Sequence, residues 1–169
     1  MINNKLLLEV IEILKENNLT IGAVESFTGG LFSSALTSIS GVSKVFKGSI
    51  VSYSTLIKES VVKVNKETIE NETVVSQKVA EEMAYNGSKI LDTDITVSFT
   101  GNAGPTVCDG DKPVGLIFIS IYFKENFYTQ KCCLNLDRNA IRETAVNVAL
   151  ENILKIFGNF FEKGTLLIM

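Results

Sequence analysis

Leu7, Val10, Ile11 and Leu14 recur at intervals of three and four in an otherwise polar stretch. That spacing lines them along one stripe and predicts an amphipathic helix over 4–17. A short β-prone run follows at 20–24, then the turn Thr28-Gly29-Gly30. Leu31, Phe32, Ala35, Leu36 and Ile39 return at helical spacing, with Gly41 set to end the helix. Residues 45–53, VFKGSIVSY, read as a second strand, and 64–72 as one short helix. Ser76 is suited to cap a helix whose inner face carries Val79, Met83 and Ile90. Ile95, Val97 and Phe99 alternate with Thr96, Ser98 and Thr100, a strand that ends at Gly101. A turn-rich loop over 101–113 leads to VGLIFISIYF at 114–123, a continuous apolar run typical of an interior strand. A turn at 124–126 would fold a partner strand, 127–134, back against it. Asp137 would cap a last helix that turns Ile141, Ala145, Val148, Ala149, Ile153, Ile156 and Phe157 inward. Alternating helices and strands followed by a hairpin predict an α/β fold, a mixed sheet with helices on both faces.

Composition narrows the function. A chain of 169 residues is expected to form one domain, with its core over about 6–157 and 158–169 as a tail. The ending GTLLIM reads as a docked segment, as a surface for a homo-oligomer, or as a frayed end. The net charge of −3 and the lack of a basic stripe argue against a general nucleic-acid partner. No segment is apolar and long enough for a membrane partner, and the cytoplasm is the simplest compartment. Three cysteines, Cys108, Cys132 and Cys133, lack the spacing of a zinc site or a disulfide framework, and the two in the strand read as packing residues. There is no histidine. Ser-His-Asp and Cys-His catalysis and histidine-metal sites are therefore excluded, and neither a metal nor a cofactor is expected. Hydrolysis would have to take its base from lysine, tyrosine or a carboxylate.

Four segments could carry chemistry. Glu25-Ser26-Phe27-Thr28-Gly29-Gly30 puts a hydroxyl where a strand gives way to a helix, beside amides able to receive an oxyanion. The same hexapeptide also reads as an ordinary N-cap with glycines for close packing. Tyr53 and Lys58 follow the second strand, but sixteen lysines and arginines are available and residue type alone does not choose among them. Thr100-Gly101-Asn102-Ala103-Gly104-Pro105 ends a strand with glycines that would let a ligand approach the backbone, and equally reads as a plain loop. Arg138 and Arg142 sit one turn apart at the start of the last helix, where the dipole disfavours a cation and a bound phosphate would explain them; exposed arginines are the plain alternative.

Together these segments resemble the C-terminal domain of the competence/damage-inducible protein A (CinA-like) family, also known as nicotinamide-nucleotide amidases. The resemblance runs from Leu6 to Phe157 and rests on A-V-E-S-F-T-G-G, Y-S-T-L-I-K, V-V-S-Q, T-G-N-A-G-P with K-P-V-G, and L-D-R-N-A-I-R, in that order. It implies a three-layer α/β/α fold around a five-stranded mixed sheet. It implies hydrolysis of the carboxamide of nicotinamide mononucleotide to nicotinate mononucleotide and ammonia, in pyridine-nucleotide salvage. Ser26 would be the nucleophile, with Lys58 as a partly buried, neutral base and Tyr53 relaying the proton. Amides around Thr28, Gly29 and Gly30 would hold the oxyanion. Thr100, Gly101, Asn102, Gly104, Arg138 and Arg142 would hold the nucleotide. The chain departs from the family at Phe27, where cysteine is usual, and at 106–110, where Asp-Gly-Gly is usual; by the resemblance both would touch the pocket wall. Many family members carry a larger N-terminal domain, so the chain reads as a stand-alone form. Two other readings stay open: a pyridine-nucleotide-binding module without catalysis, and, against the acidic charge, an RNA-binding domain.

Overall fold

The structure is a computed structural model that describes residues 1–107 and 112–165, with side chains as far as 158. Its strands are β1 (Ile21–Glu25), β2 (Phe46–Val51), β3 (Ile95–Gly101), β4 (Leu116–Phe123) and β5 (Asn126–Cys133). They form one sheet in the order β2-β1-β3-β4-β5. β1 runs parallel to both β2 and β3, while β3–β4 and β4–β5 are antiparallel. The fold is the expected three-layer α/β/α arrangement. One face of the sheet, with Ala23, Val97, Phe99 and Ile119, is covered by α1 (Asn4–Glu16), α2 (Leu31–Thr37) and α6 (Arg138–Thr165). The other face is covered by α5 (Gln77–Leu91). Two short helices, α3 (Thr55–Ser60) and α4 (Lys66–Glu72), lie between β2 and α5 in the chain.

The alternation in β3 has a cause other than solvent. Thr96, Ser98 and Thr100 are buried beneath α5, and their hydroxyls are satisfied locally. Ser98 donates to the Ala80 carbonyl at 2.6 Å, and Thr100 to the Val74 carbonyl at 2.6 Å. A small, polar sheet face lets the helix come close, and Gly87 makes the closest approach. A Cβ at Gly87 would lie 2.4 Å from Cγ2 of Val24 and 3.1 Å from that of Thr96.

The caps expected at Ser76 and Asp137 are present: Ser76 Oγ accepts from the Val79 amide, and Asp137 Oδ1 from the Asn139 and Ala140 amides. Other expectations are corrected. α2 ends at Thr37 rather than near Gly41, because the Thr37 and Ser38 hydroxyls take up the carbonyls of Ser33 and Ala35. Gly41, at φ +78°, instead opens a 3₁₀ turn, Val42–Lys44. Ile90 is exposed: Val62 and Val64 pack with Val79 and Met83, and that cover does not extend to it. The last helix continues to Thr165 through part of the expected tail; 166–169 lie outside the described residues. Strand alternation leaves Cys132 half-buried against the core and Cys133, on the edge strand, exposed rather than a packing residue; Cys108 lies outside the described residues. Burial, foremost, raises the Cys132 thiol above its ordinary pKa and so disfavours its thiolate.

Gly87→Ala should lower stability by about 1–3 kcal/mol, since the methyl has to displace Val24 or lift α5. Urea denaturation should show a lower midpoint with an unchanged slope.

Candidate active site

The parallel half of the sheet builds the site. β1, β2 and β3 all end on the same side; from β1 the chain goes on to β2 at one side of the sheet, and from β3 to β4 at the other, so the connections diverge between β1 and β3. Such a switch point opens a crevice beyond the strand ends. A cavity of about 210 Å³ lies there, lined from Ser26 after β1, Tyr53 and Lys58 after β2, 100–104 at the end of β3, and Arg138 at the start of α6.

Ser26 and Lys58 meet in it. Ser54 caps α3 by accepting from the Ile57 amide, and Lys58 is the one buried side chain that this short helix carries. Lys58 Nζ lies 2.8 Å from Ser26 Oγ, 2.6 Å from the Ser52 carbonyl and 3.4 Å from the Tyr53 carbonyl. Ser26 is 7% exposed and Lys58 2%. Among the described residues no carboxylate lines the cavity to offset the ammonium charge. Burial therefore disfavours the charged form and lowers the Lys58 pKa from 10.5 to about 8.

Tyr53 is placed differently from expectation. Its ring is 59% exposed, and its hydroxyl accepts from Arg138 at 3.0 Å. The Tyr53 group hydrogen-bonded to Lys58 is its main-chain carbonyl, while its hydroxyl is bonded to Arg138. Arg138 also donates to the Gly104 carbonyl, bridging Tyr53 to the β3 loop at the cavity.

The turn after Ser26 is also arranged otherwise. Thr28, Gly29 and Gly30 do not line the cavity. The Gly29 amide donates to the Ser26 carbonyl at 3.0 Å and the Gly30 amide to Glu25 at 3.1 Å, so neither is free for an oxyanion. Both glycines have positive φ, +57° and +94°, which the turn requires. The Phe27 and Thr28 amides have no acceptor among the described residues. Arg142 lies behind the turn rather than in the cavity, donating to the Thr28 carbonyl at 2.8 Å and to Asn139 at 3.4 Å.

The β3 loop is held by its own groups. Asn102 Oδ1 accepts from the Gly104 amide at 2.9 Å and Nδ2 donates to the Lys112 carbonyl at 3.1 Å, so its side chain ties the loop's two ends. Gly101 is required by strand packing, because a Cβ there would lie 2.7 Å from the Ile117 Cα. Phe27 touches the cavity but belongs to the hydrophobic core. Within 106–110, Thr106 lines the cavity, and 108–110 lie outside the described residues. Sequence reasoning missed Thr55, Val74, Val75 and Ala103 as cavity walls. V-V-S-Q had been noticed as a motif, but nothing in valine chemistry assigned it a wall. Among the described residues no cluster of His, Cys, Asp or Glu could hold a metal, and no helix is long and apolar enough to cross a membrane.

A model of the CinA C-terminal domain matches residues 3–157. A CinA-like protein of Prochlorococcus marinus is 46% identical over 147 residues, 85% of this chain and 35% of that protein. One of Flavobacterium psychrophilum is 43% identical over 150 residues, 88% of this chain and 36% of that protein. The chain thus spans about a third of the length of the curated relatives it matches. Among solved structures, the competence damage-inducible protein A of Klebsiella pneumoniae superposes with a TM-score of 0.88 at 25% identity, covering 91% of this chain and 96% of that one. A CinA superfamily protein from Escherichia coli gives 0.87 at 27% identity, covering 89% and 88%.

The geometry separates Tyr53 from the Ser26–Lys58 pair. Tyr53→Phe should leave the Lys58 titration near 8, followed by NMR of the lysine ε-carbons. A rise toward 10.5 would return the tyrosine hydroxyl to the pair.

Proposed function

The chain belongs to the CinA C-terminal domain family, and we propose that it is an amidohydrolase that converts nicotinamide mononucleotide to nicotinate mononucleotide and ammonia, with Ser26 as nucleophile and Lys58 as base. The observation that carries this reading is the buried Lys58 amine, with a pKa of about 8, 2.8 Å from the Ser26 hydroxyl. A general base works best when its pKa lies near the working pH, and burial brings Lys58 there without a histidine.

The contacts of Lys58 orient the base. Two of its three close neighbours are carbonyls, which only accept. A neutral amine has two N–H groups and one lone pair, so the N–H groups go to Ser52 and Tyr53 and the lone pair faces Ser26. As Ser26 Oγ attacks the carboxamide carbon, its proton passes to Lys58 and the carbonyl oxygen becomes an oxyanion. The Phe27 amide, at the cavity wall, is the donor the turn leaves for it. Lys58 then protonates the departing nitrogen, the C–N bond breaks, and ammonia leaves an acyl-Ser26 ester. Lys58 next takes a proton from water, which attacks the ester, and returns that proton to Ser26.

The cavity suits an anionic substrate. Among the described residues its charged lining is Lys58 and Arg138, with no carboxylate, in a chain of net charge −3. Arg138 has N–H groups to spare beyond the Gly104 and Tyr53 bonds and is suited to the substrate phosphate. Val74, Val75 and Ala103 offer apolar surface to the pyridine ring.

Incubation with nicotinamide mononucleotide should release ammonia and nicotinate mononucleotide, undiminished by a chelator, with free nicotinamide a much poorer substrate; binding without ammonia would leave a non-catalytic module. Arg138→Ala should raise KM. Lys58→Arg keeps the charge but is no base at neutral pH, so kcat should fall about 10²–10⁴-fold. The active form carries neutral Lys58, so kcat/KM should rise with pH through about 8 and then level off. A profile flat from pH 6 to 9 would remove Lys58 from the base's role.

A further inference from the structure

Glu25 immediately precedes the nucleophile, yet it lines no part of the cavity. It is 0% exposed and is the only buried carboxylate among the described residues. Among the described residues no lysine or arginine pairs with it. Its oxygens accept instead from four donors: Oε2 from the Gly30 and Phe32 amides, both at 3.1 Å, and Oε1 from the Ser33 amide at 3.0 Å and the Ser33 hydroxyl at 2.6 Å. A buried carboxylate so placed is stabilised by charge-assisted hydrogen bonds, and removing their acceptor is costly. The Ser33 hydroxyl has one proton, which goes to Glu25, so Ser49 of β2 must donate to Ser33 across their 2.6 Å contact. The carboxylate thus joins β1 to the first turn of α2 and, through Ser33, to β2.

The main chain of Glu25 completes a ring. Its carbonyl accepts from the Ser52 amide at 2.7 Å, and the Ser52 carbonyl accepts from Lys58 Nζ at 2.6 Å. Lys58 Nζ reaches Ser26 Oγ at 2.8 Å, and Ser26 is bonded to Glu25. We propose that Glu25 is the positioning residue of the Ser26–Lys58 pair: its carboxylate locks the β1–α2 turn to β2, and so sets the distance between the serine oxygen and the lysine nitrogen. The role rests on the reading of that pair as nucleophile and base. By taking the Gly30, Phe32 and Ser33 amides, Glu25 also settles which amides of the turn stay available to a substrate oxyanion.

The test is Glu25→Gln in the full chain, with Ser33→Ala beside it. Glutamine keeps the size, but its NH₂ must face N–H donors on one side or the other. Two readouts are needed: steady-state turnover of nicotinamide mononucleotide, and the rate at which an alkylsulfonyl fluoride sulfonylates Ser26, measured by intact mass. In the second, Ser26 Oγ displaces fluoride while its proton passes to Lys58, so no knowledge of the substrate is required. Misplacing a reacting group by about 1 Å costs on the order of 100-fold in rate. Glu25→Gln should therefore lower kcat and the labelling rate together, by about 100-fold, with KM within about threefold of wild type. Ser33→Ala, which removes one donor of four and the link to Ser49, should fall about tenfold by the same argument. A purely structural cap would lower the thermal midpoint and leave the labelling rate of the folded fraction unchanged; that result overturns the proposal. If Glu25→Gln does not fold, Ser33→Ala decides, and labelling at the wild-type rate overturns the proposal there too. Wild-type protein that labels at Ser26 but releases no ammonia from nicotinamide mononucleotide sinks the substrate reading alone, and the labelling rates still judge Glu25.

Discussion

An amine held out of water 2.8 Å from a serine hydroxyl, with no countercharge among the described residues, sets the terms for everything around it. A lysine in water is a cation and no base at neutral pH. Removing its solvent reverses that preference, provided no carboxylate stands near to restore it. Among the described residues the cavity meets the condition: it is lined by carbonyls, hydroxyls, valines and one arginine, and by no carboxylate. The carbonyls of Ser52 and Tyr53 satisfy the amine's hydrogens without offering a full negative charge. α3 is too short to contribute much stability of its own, and its capping by Ser54 is what delivers Lys58 inward.

The sheet explains why this arrangement arises where it does. Three parallel strands end together, and turns leaving them converge from distant parts of the sequence. The antiparallel pair, β4 and β5, extends the sheet away from that corner. β4 supplies Ile117, whose close approach demands Gly101, and so shapes the cavity without entering it. The glycines of the β3 loop thus answer to neighbouring strands as much as to any ligand. The same holds for Asn102, whose polar atoms are spent on the loop itself.

Much of this was legible in the sequence. Helical spacing from Leu7 to Leu14 and the apolar run of β4 reported their own environments, because each follows from which side of an element meets the core. The mixed α/β class followed from their order. The short helix α3 was not visible, since six residues do not complete two turns of periodicity. Ile90 misled because its helical position matches the buried line of Val79 and Met83, and only tertiary cover distinguishes them. Residue chemistry could say that a histidine-free hydrolase needs another base, but not which of sixteen cations was out of water. Burial is a property of the assembled fold, and here family resemblance supplied the choice. The same limit explains Tyr53 and Arg142: their types were right for a site, while their partners, Arg138 and the Thr28 carbonyl, lie 85 and 114 positions away.

That long separation has a consequence during synthesis. The serine leaves the ribosome well before the helix that carries Arg138 and Arg142. Until the layers close, Lys58 is solvated and charged, and Ser26 is an alcohol no more reactive than any other serine of the chain. On the proposed reading, the nucleophile therefore comes into being only with the finished tertiary structure. A nascent or partly unfolded chain exposes the same atoms without their reactivity, and is spared acylation by whatever electrophiles surround it.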